Sequence, residues 1–154
     1  MARLGVGEKA PSFTLRDEHG EEVSLKDFLG MRVVLYFYPA DDTPGCTKEA
    51  CQFNDEFAAF NSLGVLVFGV SPDSPESHLA FRKKYGLSFS LLSDPEKTVM
   101  TRYGAFGEKM LYGKKVNGVI RSTFVVSPAG TIEHVFYNVR ADGHAAKVLA
   151  TLAN

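Results

Sequence analysis

The sequence predicts a mixed α/β fold, in which helices flank a sheet with a parallel centre and an antiparallel edge. Two apolar runs, residues 33–38 and 66–71, are typical of strands buried on both faces, as the central strands of parallel sheets are. Helix start and stop signals follow each run, so strands and helices alternate along the chain. The length of 154 residues fits one domain, and we expect residues 1–154 to form it.

The N-terminal segment, residues 11–29, is expected to form a strand, a turn and a second short strand or the start of a helix. Phe13 and Leu15 alternate with polar neighbours, which is typical of a half-buried strand. Residues 17–20 carry a turn signal that ends in glycine. We therefore expect a β-hairpin ahead of the first buried strand.

The first helix is predicted over residues 44–63. Thr43 is a residue type that caps helix N-termini, Pro44 suits the first helical position, and Gly64 suits the stop. An apolar stripe on one face of this helix consists of three phenylalanines at helical spacing, namely Phe53, Phe57 and Phe60. This stripe predicts that the helix packs on the sheet.

Two further helices are predicted in the middle of the chain. One opens at Ser74 and Pro75, which are good N-terminal residues, and ends near Gly86. A short strand follows at residues 91–92, and a third helix is predicted from residue 94 to about residue 104.

The C-terminal third begins with residues 104–118, whose spaced glycines and mixed polarity indicate a long surface connection. Two β-rich runs, residues 122–126 and 131–136, flank a four-residue turn and predict a hairpin. The last helix is predicted over about residues 142–152.

The composition excludes several classes of function. The formal net charge is −1 and the isoelectric point is about 6.4, so we expect neither nucleic acid nor an anionic membrane as a partner. The apolar runs are far shorter than the roughly 20 residues of a membrane span, and the N-terminus lacks the apolar core of a signal peptide. A cytoplasmic location is the simplest expectation, and removal of an earlier targeting peptide stays open.

The chain has two cysteines, Cys46 and Cys51. Two cysteines are too few for a disulfide scaffold or, alone, for a structural zinc site, so we expect the pair to serve redox chemistry. Cys46 lies where the first helix begins, and a thiol there faces unpaired backbone N–H groups and the positive end of the helix dipole. This position favours the thiolate, which is the nucleophilic form of cysteine.

Residues 37–51 closely resemble the active-site segment of the peroxiredoxins. The Pro-x-x-x-Thr-x-x-Cys signature is met by Pro39, Thr43 and Cys46, and a second cysteine five residues later points to the bacterioferritin comigratory protein branch, also called peroxiredoxin Q. Residues 118–124 resemble the segment that bears the family's active-site arginine, here Arg121. Residues 10–13 resemble the family's N-terminal Ala-Pro-x-Phe motif, so the resemblance spans nearly the whole chain.

The resemblance implies a thioredoxin-like fold that carries thiol-dependent peroxide reduction. Cys46 is then the attacking sulfur, and Thr43 and Arg121 bind the peroxide and stabilise charge on the leaving oxygen. Pro39 lacks an N–H and is expected to shield the sulfur from water. The implied substrates are hydrogen peroxide and organic hydroperoxides, and the product on the enzyme is a Cys46 sulfenic acid. We expect no metal, haem, flavin or other cofactor in this chemistry.

The resemblance also implies that Cys51 resolves this sulfenic acid through a Cys46–Cys51 disulfide. Residues five apart in an intact α-helix lie roughly 8–9 Å from each other at Cα, whereas a disulfide needs less than about 7 Å. We therefore expect the first turns of the helix to unwind in each cycle. Thioredoxin or a similar dithiol protein is the implied reductant, and we expect a monomer or a weak homodimer.

Two alternative functions stay open on the sequence. A thiol–disulfide oxidoreductase would act on protein disulfides, although such enzymes favour a Cys-x-x-Cys pair. A redox-responsive binding or chaperone module would capture a partner after oxidation, with negligible peroxide turnover.

The remaining polar residues give weaker signals. The four histidines, at positions 19, 78, 134 and 144, show no metal-ligand spacing, and we expect most of them on the surface or on strands. Asp41 and Asp42 are expected to cap the loop before Cys46 or to be solvated, because a carboxylate near the sulfur would oppose the thiolate.

Overall fold

The structure, a computed structural model, describes residues 3–153, and this part of the chain contains nine β-strands and five α-helices. The strands are β1 (Thr14–Arg16), β2 (Glu22–Ser24), β3 (Arg32–Phe37), β4 (Val65–Ser71), β5 (Ser90–Ser93), β6 (Phe106–Leu111), β7 (Lys114–Val119), β8 (Ser122–Val126) and β9 (Ile132–Phe136). The helices are α1 (Pro44–Asp55), α2 (Phe57–Ser62), α3 (Pro75–Tyr85), α4 (Thr98–Arg102) and α5 (His144–Ala153).

Seven strands form one sheet in the order β2-β1-β5-β4-β3-β8-β9. Strand β4 is parallel to both of its neighbours, β3 and β5. The outer strands β8, β9, β1 and β2 are antiparallel to the strands beside them. The predicted mixed sheet with a parallel centre and an N-terminal β-hairpin is therefore confirmed.

Strand β3 is buried on both faces, which explains its nearly continuous apolar sequence. Val33, Leu35 and Phe37 belong to one apolar core, which also includes residues of α4. Val34 and Tyr36 face the other core, which packs against α1, α2, α3 and α5. Burial of each large apolar side chain contributes about 1.5–3 kcal/mol, so β3 is held firmly between two layers.

The predicted first helix is interrupted at Glu56, which separates α1 from α2. The Glu56 N–H contacts the carbonyl oxygens of both Gln52 and Asn54, so the backbone tightens there into a last turn. Phe53 and Phe60, on either side of this break, are both fully buried in the same core. A stripe at helical spacing thus shows which face is buried but not that the helix is continuous.

Residues 104–118, predicted as a surface connection, are largely exposed, but they form most of a regular two-stranded antiparallel ribbon of β6 and β7 that was not predicted. The turn between them consists of Tyr112 and Gly113, both with positive φ, as two-residue hairpin turns require. Met110 and Leu111 are exposed, and the ribbon is separate from the main sheet. Without a buried face, the sequence has no alternation to indicate strands.

The helix predicted to begin at residue 94 is α4, and it begins at Thr98. The predicted start, Asp94, is buried and lies in a preceding turn. Its carboxylate accepts hydrogen bonds from the N–H groups of Val99 and Met100 at 3.4 and 2.8 Å. Asp94 therefore caps the first turn of α4 from a position four residues before it.

None of the helices within residues 3–153 is long and apolar enough to span a bilayer.

Candidate active site

The site forms where β3 ends and α1 begins. The segment 39–43, which we call the entry loop, leaves β3 and leads directly into the first turn of α1, where Cys46 lies. On the neighbouring strand β8, Ser122 pairs with Phe37, so the preceding Arg121 lies opposite the end of β3. The sheet register thus brings Arg121 to Cys46, from which it is 75 residues distant in sequence.

Cys46 is 2% exposed and faces the guanidinium of Arg121, whose Nη2 lies 3.4 Å from Sγ. The N–H groups of Gly45 and Cys46 have no acceptor among residues 3–153, since the first backbone bond of α1 runs from Thr47 N to Thr43 O. The sulfur therefore lies beside a cation and in the first turn of α1, where two backbone N–H groups stay free.

Gly45 makes room for this arrangement. A Cβ atom at position 45 would lie 3.3 Å from Arg121 Nη2, which is closer than ordinary packing contacts. A larger residue at position 45 would require the guanidinium to shift by a few tenths of an ångström. The structure therefore gives a steric reason for a glycine at position 45.

Thr43 occupies the N-cap position of α1, but its side chain does not cap the helix. Its hydroxyl instead donates to the carbonyl oxygen of Ala40 at 2.9 Å. Because the hydroxyl proton is used there, the free lone pairs of Thr43 can accept a hydrogen bond from a ligand above Cys46. The N–H groups of the first turn also stay available.

Glu49 is a site residue that the sequence analysis missed. It lies one turn after Cys46 on α1 and is fully buried, and its Oε1 accepts a hydrogen bond from Arg121 Nη1 at 2.6 Å. Burial raises the pKa of Glu49 to about 7, although the Arg121 guanidinium acts against this shift. Its second oxygen, Oε2, has no partner among the described residues.

One signal in the sequence could have found Glu49. It is three residues after Cys46 and four before Phe53, so all three share the buried face of the helix. A carboxylate on such a face needs a partner, and a buried arginine is the strongest one. Burial opposes the charge of Arg121, yet Glu49 and Cys46 together hold the Arg121 pKa above its usual value.

Cys51 does not meet Cys46 in this structure. Both cysteines are free thiols and both lie within the continuous helix α1. Cys51 is half-buried, and its pKa is raised by burial and by the nearby Asp55. The helical spacing places the two Cα atoms roughly 8–9 Å apart, beyond the reach of a disulfide.

An open cleft of about 470 Å³ lies beside the site. Pro39 and Arg121 line it on one side, together with Val119 and Ile120. The β6–β7 ribbon contributes residues 108–111, including Met110 and Leu111. Arg121 therefore connects the buried sulfur to an accessible space with both polar and apolar walls.

The expectation that the histidines lie on the surface or on strands is wrong for His78 and His144. Both are buried on helices, His78 in α3 and His144 at the start of α5. Each has a polar partner that the sequence pattern did not show. His78 contacts the Asp41 carboxylate at 2.7 Å, and His144 Nε2 lies 2.7 Å from the Thr123 hydroxyl.

Asp41, Asp73 and His78 place one ligand atom each within 4.8 Å of one another. These atoms already have protein partners, because Ser77 and His78 contact Asp41, and Ser71 and the Asp41 N–H donate to Asp73. The cluster is therefore a hydrogen-bond network, and we do not assign a metal to it. Asp42, in contrast, is exposed and pairs with Lys84.

Comparison with known proteins shows extensive similarity. Residues 6–135 match the model of the AhpC/TSA family. A Mycobacterium tuberculosis protein, provisionally named a peroxiredoxin, is 55% identical over 151 residues, which cover 98% of this chain and 96% of that protein. Peroxiredoxin Bcp of Escherichia coli is 43% identical over 144 residues, covering 94% of this chain and 92% of its own length.

The similarity extends to a solved structure. The bacterioferritin comigratory protein of Xanthomonas campestris, whose structure addressed its alkyl peroxide reduction activity, superposes with a TM-score of 0.90 at 37% identity. The match covers 97% of this chain and 98% of that one.

Proposed function

The chain belongs to the AhpC/TSA family, in the bacterioferritin comigratory protein or peroxiredoxin Q branch of the peroxiredoxins, and we propose that it reduces hydrogen peroxide and organic hydroperoxides through Cys46. The predicted thioredoxin-like fold is confirmed by the solved relatives. Peroxide is the oxidising substrate of this family and a thiol is its reductant. The observation that carries the assignment of Cys46 is the contact of Arg121 Nη2 with its sulfur at 3.4 Å.

In the first step the Cys46 thiolate attacks the hydroxyl oxygen of the peroxide. A sulfur–oxygen bond forms as the oxygen–oxygen bond breaks, and the sulfur becomes a sulfenic acid that keeps the peroxide's proton. The other oxygen leaves as an alkoxide or hydroxide, which takes up a proton. Arg121 and the free N–H groups of Gly45 and Cys46 are placed to stabilise its charge.

Thr43 and Pro39 complete the peroxide site in this proposal. The Thr43 hydroxyl donates to Ala40, so it accepts the hydrogen of the attacked peroxide oxygen and aligns that oxygen with the sulfur. Pro39 lines the cleft and offers no N–H that would bind competing water. We propose that the alkyl group of an organic hydroperoxide lies in the same cleft against Pro39, Met110 and Val119.

In the second step the Cys51 sulfur attacks the sulfur of the Cys46 sulfenic acid. A Cys46–Cys51 disulfide forms and water leaves. The step requires α1 to unwind, since the two residues are too far apart within the helix. Thioredoxin or a similar dithiol protein then reduces the disulfide, and a cytoplasmic location, where such donors are present, belongs to the proposal. We propose a monomer or a weak dimer as the working form.

Stopped-flow addition of hydrogen peroxide to the reduced protein, followed by intact mass, tests the proposal. The expected product is lighter by about 2 Da because the internal disulfide has lost two hydrogens. A Cys51→Ser protein should stop at the sulfenic acid, about 16 Da heavier, and a Cys46→Ser protein should not react. Rapid insulin reduction without peroxide turnover, or oxidation-dependent capture of a partner without turnover, would instead support one of the alternative functions.

A further inference from the structure

The carboxylate of Asp41, in the entry loop, is enclosed by donors. The Tyr38 hydroxyl donates to Oδ1 at 2.6 Å, and the Ser77 hydroxyl donates to Oδ2 at 2.7 Å. His78 Nδ1 lies 2.7 Å from the same Oδ2. The side chains of Asp41 and His78 are 4% and 0% exposed, so water does not replace these contacts.

The second nitrogen of the His78 ring defines its protonation. Nε2 lies 3.0 Å from the carbonyl oxygen of Leu92, which can only accept, so Nε2 carries a hydrogen. Nδ1 faces a carboxylate oxygen at hydrogen-bond distance, and a proton must lie between those atoms as well. Because Tyr38 and Ser77 already donate to Asp41, the second proton belongs on the imidazole.

The charges around the ring point the same way. The carboxylate of Asp73 belongs to the same cluster, and its Oδ2 accepts from the Asp41 N–H at 2.7 Å and from the Ser71 hydroxyl at 2.8 Å. The phenol of Tyr38 is the other titratable group here, and burial holds its pKa well above the usual value, so it stays neutral. Two carboxylates therefore face one imidazole, and a positive ring reduces their repulsion.

We propose that His78 is a buried imidazolium that acts as a positioning residue for peroxide reduction, by fixing the entry loop through Asp41. Asp41 lies between Pro39 and Thr43, the two loop residues assigned to the peroxide site. The inference therefore rests on the proposed function. Asp42 is also bound to α3, through Lys84 Nζ at 2.8 Å, so the loop is anchored to α3 at two successive residues.

This anchoring separates the loop from the helix that must unwind. The contacts of Asp41 and Asp42 reach α3 and Asp73, which follows β4, whereas Cys46 and Cys51 lie on α1. Thr43 and Pro39 can therefore keep their places when α1 opens. Loss of the ion pair would displace the loop, and an error of a fraction of an ångström in peroxide alignment reduces the rate.

The first test reads the protonation of His78 directly. Protein labelled with nitrogen-15 at histidine is studied by NMR at pH 7, and the His78 signals are assigned by comparison with a His78→Asn protein. Both ring nitrogens should carry a proton. A His78 ring with one bare nitrogen at pH 7 would overturn the proposal, whether or not the protein reduces peroxide.

The second test separates alignment of peroxide from ionisation of the sulfur. In His78→Leu, the rate of Cys46 oxidation by hydrogen peroxide should fall about tenfold, while the rate of its alkylation by iodoacetamide stays unchanged. His78→Asn keeps an amide donor toward Asp41 and should restore part of the peroxide rate. His134→Leu, at a more exposed position, is the matched control and should change neither rate.

The opposite results are equally informative. If both rates fall together in His78→Leu, the residue supports the fold in general and the proposal fails. If neither rate falls, the loop does not depend on His78 and it fails as well. Should His78→Leu not fold, the NMR result and the peroxide rate of His78→Asn decide, and a rate in His78→Asn equal to that of the unsubstituted protein at every pH overturns the proposal.

Discussion

Arg121 contacts two groups, the Cys46 sulfur and the Glu49 carboxylate. Its two terminal nitrogens serve one partner each, so the planar guanidinium is oriented as well as charged. Glu49 thereby fixes the direction of the cation that faces the sulfur. A lysine would supply the same charge at one point and could not keep both contacts.

Arg121→Lys should therefore lower the rate of hydrogen peroxide reduction by about tenfold to a hundredfold, although the net charge is unchanged. The alkylation profile of Cys46 should move to higher pH by less than in Arg121→Ala, since some positive charge remains. Stopped-flow rates and iodoacetamide alkylation across pH measure these effects. Arg140→Lys, at an exposed position, is the control, and an undiminished peroxide rate in Arg121→Lys would contradict the oriented-cation role.

Glu49→Gln should change how the stability of the protein depends on pH. The Glu49 pKa is about 7 in the folded protein, above its usual value of 4.5, so the fold loses stability as pH rises from 4.5 to about 7. Between pH 5 and pH 8 the unsubstituted protein should therefore lose up to about 3 kcal/mol more stability than Glu49→Gln does. Urea unfolding at the two pH values measures this difference.

The same variant should also change the pH at which Cys46 is alkylated. Above pH 7 the ionised Glu49 competes with the thiolate for Arg121, so Glu49→Gln should be alkylated at lower pH than the unsubstituted protein. Glu22→Gln, which is exposed, should behave like the unsubstituted protein in both measurements. A Glu49→Gln protein with unchanged pH profiles would show that this carboxylate does not titrate near neutrality.

At the residue scale, the sequence indicated the segment that carries Cys46 but not the buried polar partners of the site. Cys46, Thr43 and Pro39 share one local segment, and Arg121 could be named only through the family resemblance. Glu49 and His78 were missed because a buried polar residue is defined by what the fold places opposite it, here Arg121 and Asp41. Spacing along a chain carries no information about such distant partners.

At the scale of elements, α1 carries both cysteines, and hydrogen bonds attach it to neighbouring segments just after Cys51. Gln52 donates to Asp142 at 2.8 Å and accepts from the Gly143 N–H at 2.8 Å, so its amide connects α1 to the start of α5. Asn54 connects α1 to the segment after α3, through Gly86 O and the Ser88 N–H. These bonds must break or stretch for the helix to open.

Gln52→Ala should therefore accelerate the second step of the reaction. Loss of two hydrogen bonds, each contributing about 0.5–1.5 kcal/mol, removes about 1–3 kcal/mol in total and should speed disulfide formation by roughly five- to 150-fold. The first step, attack on peroxide, should be unaffected because Gln52 does not contact the peroxide site. Rapid-quench mass spectrometry resolves the two steps.

Lys48→Ala is the matched control on the same helix, since Lys48 is exposed. If disulfide formation in Gln52→Ala is no faster than in this control, opening of the middle of α1 does not limit the step. The first step serves as an internal reference in both variants.

Elements with a buried face were predictable, and those without one were not. Strands β3 and β4 and the hairpin β8–β9 carry apolar runs that match their burial. The β6–β7 ribbon is largely exposed, so its residues show no alternation. The break at Glu56 was missed because the apolar spacing continues through it.

At the scale of the whole molecule, one sheet carries an apolar core on each face, and we infer that residues 3–153 fold as a single domain. His144 joins α5 to this sheet by its contact with Thr123 on β8. Burial, with help from Lys147 and Arg121, lowers the pKa of His144 to about 4. The neutral ring is therefore part of the folded state.

Acid should destabilise the protein in a way that depends on His144. Because the folded-state pKa is below the unfolded one, the stability from this group is present above about pH 6.5 and is lost as pH falls through 4. Between pH 7 and pH 4.5, His144→Gln should lose about 2 kcal/mol less than the unsubstituted protein in urea unfolding. His134→Gln, nearer the surface, should lose as much as the unsubstituted protein, and equal losses in all three would exclude His144 as the cause.

The entry loop is attached to α3, whereas Cys46, Glu49 and Cys51 lie on α1, so the site that meets the oxidant joins two separately held parts. Substitutions at the attachment of the loop should alter the response to oxidant without altering sulfur repair, whereas substitutions in the first turn of α1 should alter both. Selection acting on α3 can then adjust how fast the enzyme responds to a burst of oxidant without altering how many bursts it survives.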